Sequence, residues 1–173
     1  MRALYETYLA LPIDKSLLCL EPGEIAEPYF CYPVQAEPIG FEGCILYCFL
    51  PEYAEMVFAC NPESCAEGNV YPLAANFEDF IRLILACGTV NPVEQIVWMS
   101  KSRFEEHLAR EKESLTEEQK AALQQLQCAL GVSPMEDPFE YVKAIQKNFD
   151  GSRIQYRDEY YEVTGIENPQ GAT

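Results

Sequence analysis

Between Ser16 and Ile81 the chain has no lysine and no arginine, although it carries eleven Asp and Glu residues there. Of the formal charge of −16 at pH 7, −11 falls in those 66 residues. Residues 82–173 are milder, with fifteen acids against ten basic residues. A surface of one sign repels nucleic acid and anionic membranes and steers cationic partners toward itself. The only basic residues interleaved with an aromatic lie in the tail, Arg153-Ile154-Gln155-Tyr156-Arg157, too short a piece to offset such charge. Nucleic acid and membrane are therefore not expected as partners. The acidity by itself fits a charge that only keeps the protein soluble, while its asymmetry between the halves points toward a cationic partner.

Groups that do chemistry at neutral pH are also scarce. His107 is the single histidine, in Phe104-Glu105-Glu106-His107-Leu108 on a charged helical stretch. A solvent-facing or half-buried histidine accounts for it better than a catalytic base, and any histidine triad would have to use it. Nine glycines form no phosphate-binding loop. Glu105 and Glu106 are adjacent and diverge by about 100° on a helix. Glu52 and Glu55 flank a turn and are the one pair with a route to acid–base work, although solvated turn acids are the default. No sustained apolar run reaches the roughly 18 residues a membrane span needs. Met1 to Leu20 has neither the apolar core nor the cleavage site of a secretion signal. The expectation is a soluble, cytoplasmic protein that is not an enzyme and holds no cofactor.

What the chain has in excess is cysteine: Cys19, Cys31, Cys44, Cys48, Cys60, Cys65, Cys87 and Cys128. Disulfides need an oxidising compartment, for which nothing argues. Cys44 and Cys48 lie in a strand-like run, where four residues span about 13 Å, too far to share one ion. Cys60 and Cys65 flank a turn and are able to meet, but no second pair at zinc spacing accompanies them. Reduced, mostly buried thiols are expected, and no metal.

The hydrophobic pattern divides near Asn76. Ala3 to Leu9 reads as a short helix stopped at Leu11-Pro12. Pro22, Pro28, Pro33 and Pro38 then confine the following pieces to loop or edge strand. In Cys44–Leu50, Ile45, Tyr47 and Phe49 alternate with Leu46, Cys48 and Leu50, so both faces are apolar. Glu55–Cys60 reads as the next strand, with Met56 and Phe58 on one face, and Val70–Leu73 as a third. A helix from Pro51 to Cys60 competes with the second of these. Short turns join the strands, which predicts an antiparallel meander within about residues 29–73.

After Asn76 the period becomes helical. Asn76 caps a helix ended by Gly88, with Glu78 and Asp79 in its first turn. Asn91-Pro92-Val93-Glu94 reads as a second cap, opening a helix to Trp98 or Met99. Lys101–Glu113 follows with Phe104 and Leu108 inward. Thr116 and Gln119 form a capping box for 117–130, ended by Gly131. Asp137-Pro138 opens a last helix to about Phe149, with Phe139, Val142, Ile145 and Phe149 inward. The tail Arg153–Val163 reads as a strand or hairpin. Trp98 and the helix aromatics lie at core spacing rather than as a ligand cage. The pattern predicts one α+β domain over 1–173, with an antiparallel sheet packed by helices and a C-terminal helical extension over 114–163.

The order of three pieces, Gly43-Cys44-Ile45-Leu46-Tyr47-Cys48-Phe49, Met56-Val57-Phe58 and Tyr71-Pro72-Leu73-Ala74-Ala75-Asn76-Phe77-Glu78-Asp79-Phe80, resembles the SUKH superfamily. Leu85-Ala86-Cys87-Gly88 and Asn91-Pro92-Val93-Glu94-Gln95 continue in the manner of a subgroup from bacterial genomes. The resemblance covers about residues 40–108. In that superfamily a Leu-Pro-x-x-Tyr/Phe turn precedes the sheet. Here Leu11-Pro12 lacks the aromatic, and Leu50-Pro51-Glu52-Tyr53 has those letters between two strands. The resemblance implies an α+β fold without enzymatic activity, and many members are immunity proteins that neutralise toxins, frequently nucleases. Together with the acidity, it leads to the expectation of an immunity-like protein that binds a basic toxin domain. Glu52, Tyr53 and Glu55 are the expected contacts, because tyrosine flanked by acids offers apolar area beside steering charge. A housekeeping scaffold and a small carboxylate enzyme are the alternatives.

Overall fold

The computed structural model describes residues 2–64 and 68–171. Four strands, β1 (Glu37–Glu42), β2 (Ile45–Phe49), β3 (Val57–Cys60) and β4 (Val70–Ala74), form one antiparallel sheet in sequential order. The meander follows from short connections, which bring consecutive strands together as antiparallel neighbours. Both edge strands carry a proline, Pro38 in β1 and Pro72 in β4, where a missing N–H costs least. Pro51–Tyr53 forms a 3-10 turn that hands over to β3, so proline does open a helical turn, but one turn only.

The alternation in β2 sorts its side chains between two cores. Tyr47 and Phe49 join Val57, Ala59, Tyr71 and Leu73 on one face. Seven helices are described: α1 (Ala3–Ala10), α2 (Phe77–Cys87), α3 (Val90–Gln95), α4 (Lys101–Glu113), α5 (Glu117–Leu130), α6 (Pro138–Lys147) and α7 (Asp158–Thr164). Tyr8 of α1, Phe80 and Ile84 of α2, Phe104 of α4, Leu126 of α5 and Val142 of α6 all bury against that first face. The extension beyond residue 114 thus shares the core with the sheet.

Leu46, Cys48, Leu50, Phe58 and Cys60 point the other way, and that face is also covered. Residues 29–36 and the chain after α6 lie over it, contributing Cys31, Tyr32, Phe149, Ile154 and Tyr160. The two covering segments are tied together, since Val34 N–H donates to the Gln155 carbonyl and Arg157 Nη2 to the Tyr29 carbonyl, both at 2.8 Å.

Several caps form as the sequence predicts. Asn76 Oδ1 accepts from Asp79 N–H, Asp137 Oδ1 from Glu140 N–H, and the Thr116–Gln119 capping box is complete. Gly88 ends α2 at φ +90°, with Leu115 packed so closely that a Cβ would collide with it.

Two local expectations are corrected. Thr89, not Asn91, is the N-cap residue of α3, which leaves Pro92 in the first turn and gives way to a 3-10 turn at Ile96–Trp98. The tail is not a strand or hairpin. Asp158 and Glu159 begin α7, and Tyr156 stacks on Tyr160 with centroids 3.7 Å apart. Aromatics four apart satisfy a helical stripe as readily as an alternating one, and acids at the N-terminal end favour the helix.

Candidate functional site

Glu94 is the only charged residue in the buried core among the described residues. The sequence pattern offered it as a capping residue, yet α3 turns its carboxylate toward β3 and β4. Oε1 accepts from Tyr71 Oη at 2.5 Å, Trp98 Nε1 at 2.9 Å and Asn61 Nδ2 at 3.3 Å. Oε2 accepts from Gln95 Nε2 at 2.6 Å. All four donors are neutral, so hydrogen bonds alone compensate the loss of water around this charge. Burial and the adjacent Glu94 charge push the Tyr71 phenol far above its ordinary pKa, which keeps it a donor.

A second acid stands nearby. Glu42, at the end of β1, accepts from Asn91 Nδ2 at 3.2 Å and from the buried Tyr47 hydroxyl at 3.5 Å. Its pKa is raised, chiefly by burial and further by the negative charge of Glu94, against the lowering effect of the Asn91 bond. Asn91, read as a helix cap, therefore serves to hold Glu42.

Beside this network a cavity of about 530 Å³ opens between β4, the turn after α3 and the end of α6. Tyr71, Trp98 and Phe149 line it, together with Pro72, Val97 and Gln146. Trp98 is half-buried and packs on the core with one side, leaving the other on the cavity wall. Core spacing described half of its environment. The signal for the rest was Glu94 and Trp98 at i,i+4 on one apolar turn, which brings a carboxylate to an indole N–H.

The expected contacts Glu52, Tyr53 and Glu55 separate. Tyr53 is buried, which removes it from the accessible surface. Its hydroxyl donates to the Asp150 carbonyl at 2.8 Å and accepts from Arg153 N–H at 3.2 Å. The Arg153 guanidinium lies over its ring, 4.5 Å from the centroid. The tyrosine fixes the chain after α6 to the second face of the sheet. Glu52 stays half-buried on the turn, whereas Glu55 lines a different cleft of about 310 Å³ with Arg2, Tyr5, Glu78 and Asp79. The pair does not share one site.

Cys31, Cys48, Cys60 and Cys87 are buried thiols. Cys48 Sγ and Cys60 Sγ lie 3.7 Å apart on neighbouring strands. Burial pushes the Cys31 and Cys87 thiols up to about 12, and Cys60 well above its ordinary value, so these sulfurs are poor nucleophiles. No group of three or more metal-ligating side chains converges among the described residues. Whether Cys60 meets Cys65 lies outside them. His107 is half-buried on α4, as expected.

The acids of the 16–81 block are distributed unevenly. Glu21, Glu24 and Glu27 are exposed, and Glu21 bridges to Phe41, so the run starts along the β1 edge. None of these three has an ion pair among the described residues. Glu37 pairs with Arg2, and Asp79 with Arg82. Farther along the chain Glu106, Glu117, Asp137 and Glu140 are all paired with the protein's own cations. No single described helix is long and apolar enough to cross a membrane. No family model, curated protein or solved structure matches the chain.

Proposed function

We propose that the protein is a non-enzymatic binding module for a basic protein, in the manner of an immunity protein that neutralises a basic toxin domain. The observation that carries this reading is the run of unpaired, exposed acids Glu21, Glu24 and Glu27 flanking the β1 edge. Other exposed acids, among them Glu113, Glu118 and Glu162, also have no ion pair among the described residues. Glu21, Glu24 and Glu27, however, stand in the block without a lysine or arginine of its own, so this strip is available to an external cation. The toxin identity of the partner rests on the SUKH-like order of motifs between Gly43 and Gln95. Glu52 remains a peripheral contact, whereas Tyr53 serves the fold.

Exposed charges act mainly on encounter, and salt screens them over about 10 Å at 0.1 M. Association with the partner is expected to slow at least tenfold, in round terms about one order of magnitude, between low and high salt. Dissociation should change less. A Glu21→Lys, Glu24→Lys, Glu27→Lys variant should remove most of that salt dependence. Recovery of no basic protein from producing cells, or an association rate indifferent to both salt and the triple variant, overturns the reading. A carboxylate enzyme would draw on the cleft where Glu55, Glu78 and Asp79 stand with Arg2 and Tyr5; there Asp79 is already held by Arg82 and the Tyr141 hydroxyl, and Glu52 does not line it.

A further inference from the structure

The cavity beside Glu94 has properties that a packing gap does not require. Tyr71 and Trp98 stand at 90° with centroids 5.2 Å apart. Each is tethered through its polar atom to the same carboxylate oxygen, so both rings are oriented before anything binds. Donating to a carboxylate also enriches the phenol and indole π systems, which strengthens their attraction for positive charge. The Glu94 charge sits one hydrogen bond behind the wall, and no described basic residue pairs with it. The nearby cation, Lys143, instead donates to the Val97 carbonyl at 3.2 Å and lies by the Phe139 ring. Gln146, which also lines the cavity, has its Nε2 buried without a hydrogen-bond partner. Its terminal amide can rotate to present either oxygen or nitrogen.

We propose that this cavity binds an organic cation: a guanidinium or methylated ammonium group on a short apolar stem. The charge lies among Trp98, Tyr71 and Phe149, and the stem against Val70, Pro72 and Val97. A guanidinium N–H donates to the Gln146 amide oxygen. A neutral molecule of the same shape gains the apolar contact but not the electrostatic attraction, and an anion is repelled. If the cation is a side chain of the basic partner, that source rests on the function proposed above; the preference of the cavity for a cation does not.

Trp98 is the single tryptophan, so its emission reports occupancy directly. The full chain is titrated at constant ionic strength with tetramethylammonium and with argininamide and citrullinamide, the last two as Nα-acetyl derivatives so that citrullinamide is the uncharged isostere. Saturable change is expected with both cations, at about 1 mM, with citrullinamide about tenfold weaker. Gln146→Glu adds a carboxylate to the wall and should tighten argininamide about tenfold. Gln146→Lys should abolish binding while the unfolding midpoint stays unchanged. No saturable response up to about 50 mM, an equal response to citrullinamide, or indifference to both Gln146 variants overturns the proposal. Argininamide that displaces the basic partner identifies a partner side chain as the occupant. Argininamide that binds without displacing it assigns the site to a free cation and leaves the electrostatic docking reading to its own salt test.

Discussion

Glu94 and Glu42 are both acids in low-polarity surroundings, but they invite opposite substitutions. Removing the Glu94 carboxylate strands Tyr71 Oη, Trp98 Nε1 and Asn61 Nδ2 away from water. Glu94→Ala should therefore cost about 3 kcal/mol in urea unfolding and shift Trp98 emission to the red. Glu94→Gln keeps one acceptor oxygen and should cost less. Glu42 behaves differently because burial raises its pKa. A carboxyl whose folded pKa exceeds its unfolded value binds its proton more tightly when folded. Its contribution is fully present below the unfolded value of about 4.3 and is lost as pH rises through the folded pKa. Glu42→Gln, which leaves an oxygen for Asn91, should raise the urea midpoint at neutral pH and leave it little changed near about pH 4. A lower midpoint for Glu42→Gln at neutral pH would contradict the cause assigned to that shift.

At the scale of elements, the consequential piece is the strap after α6. Phe149, Ile154 and Tyr160 cover a sheet face that includes Leu46, Cys48, Phe58 and Cys60. Deleting residues 149–171 should expose that face, giving strong binding of a hydrophobic dye and concentration-dependent aggregation. A truncated chain that stays monomeric and dye-free would refute this role. Tyr53 packs on Phe58 of the sheet and anchors the strap through two hydrogen bonds and a ring contact with Phe149. Tyr53→Phe keeps the ring and loses the hydroxyl, so it should cost about 1 kcal/mol. Tyr53→Ala should cost about 4 kcal/mol and loosen the strap to proteases.

For the molecule as a whole, residues from Tyr8 to Val142 contribute to one core. Unfolding should accordingly be cooperative, with tryptophan emission and far-ultraviolet dichroism tracing the same transition. Leu126, fully buried on α5, tests this. Leu126→Ala should lower stability by about 3 kcal/mol in both signals, although Trp98 lies in a separate element. Proteolysis that released a stable 1–113 fragment with a soluble remainder would show two independent units instead.

The sequence by itself determined the elements whose signals are local. Asn76, Thr116 with Gln119, and Asp137-Pro138 place helix starts through bonds made within four residues. The alternation of Ile45 to Leu50 shows a strand apolar on both faces, and short turns make the sheet antiparallel. Its acidic block was equally plain. Only the tertiary structure decided what covers the second sheet face, because residues 29–36 and 149–161 meet there from opposite ends of the chain. It likewise took Tyr53 from the surface, since the turn letters Pro51-Glu52-Tyr53 say nothing of Asp150 and Arg153 about 100 residues away. Glu94 shows the same limit. A glutamate in the first turns of a helix satisfies a local capping pattern, and only the approach of Tyr71 and Asn61 from other strands and loops makes it the centre of a buried network. Local chemistry places elements; the neutral donors that make a buried charge tolerable come from afar.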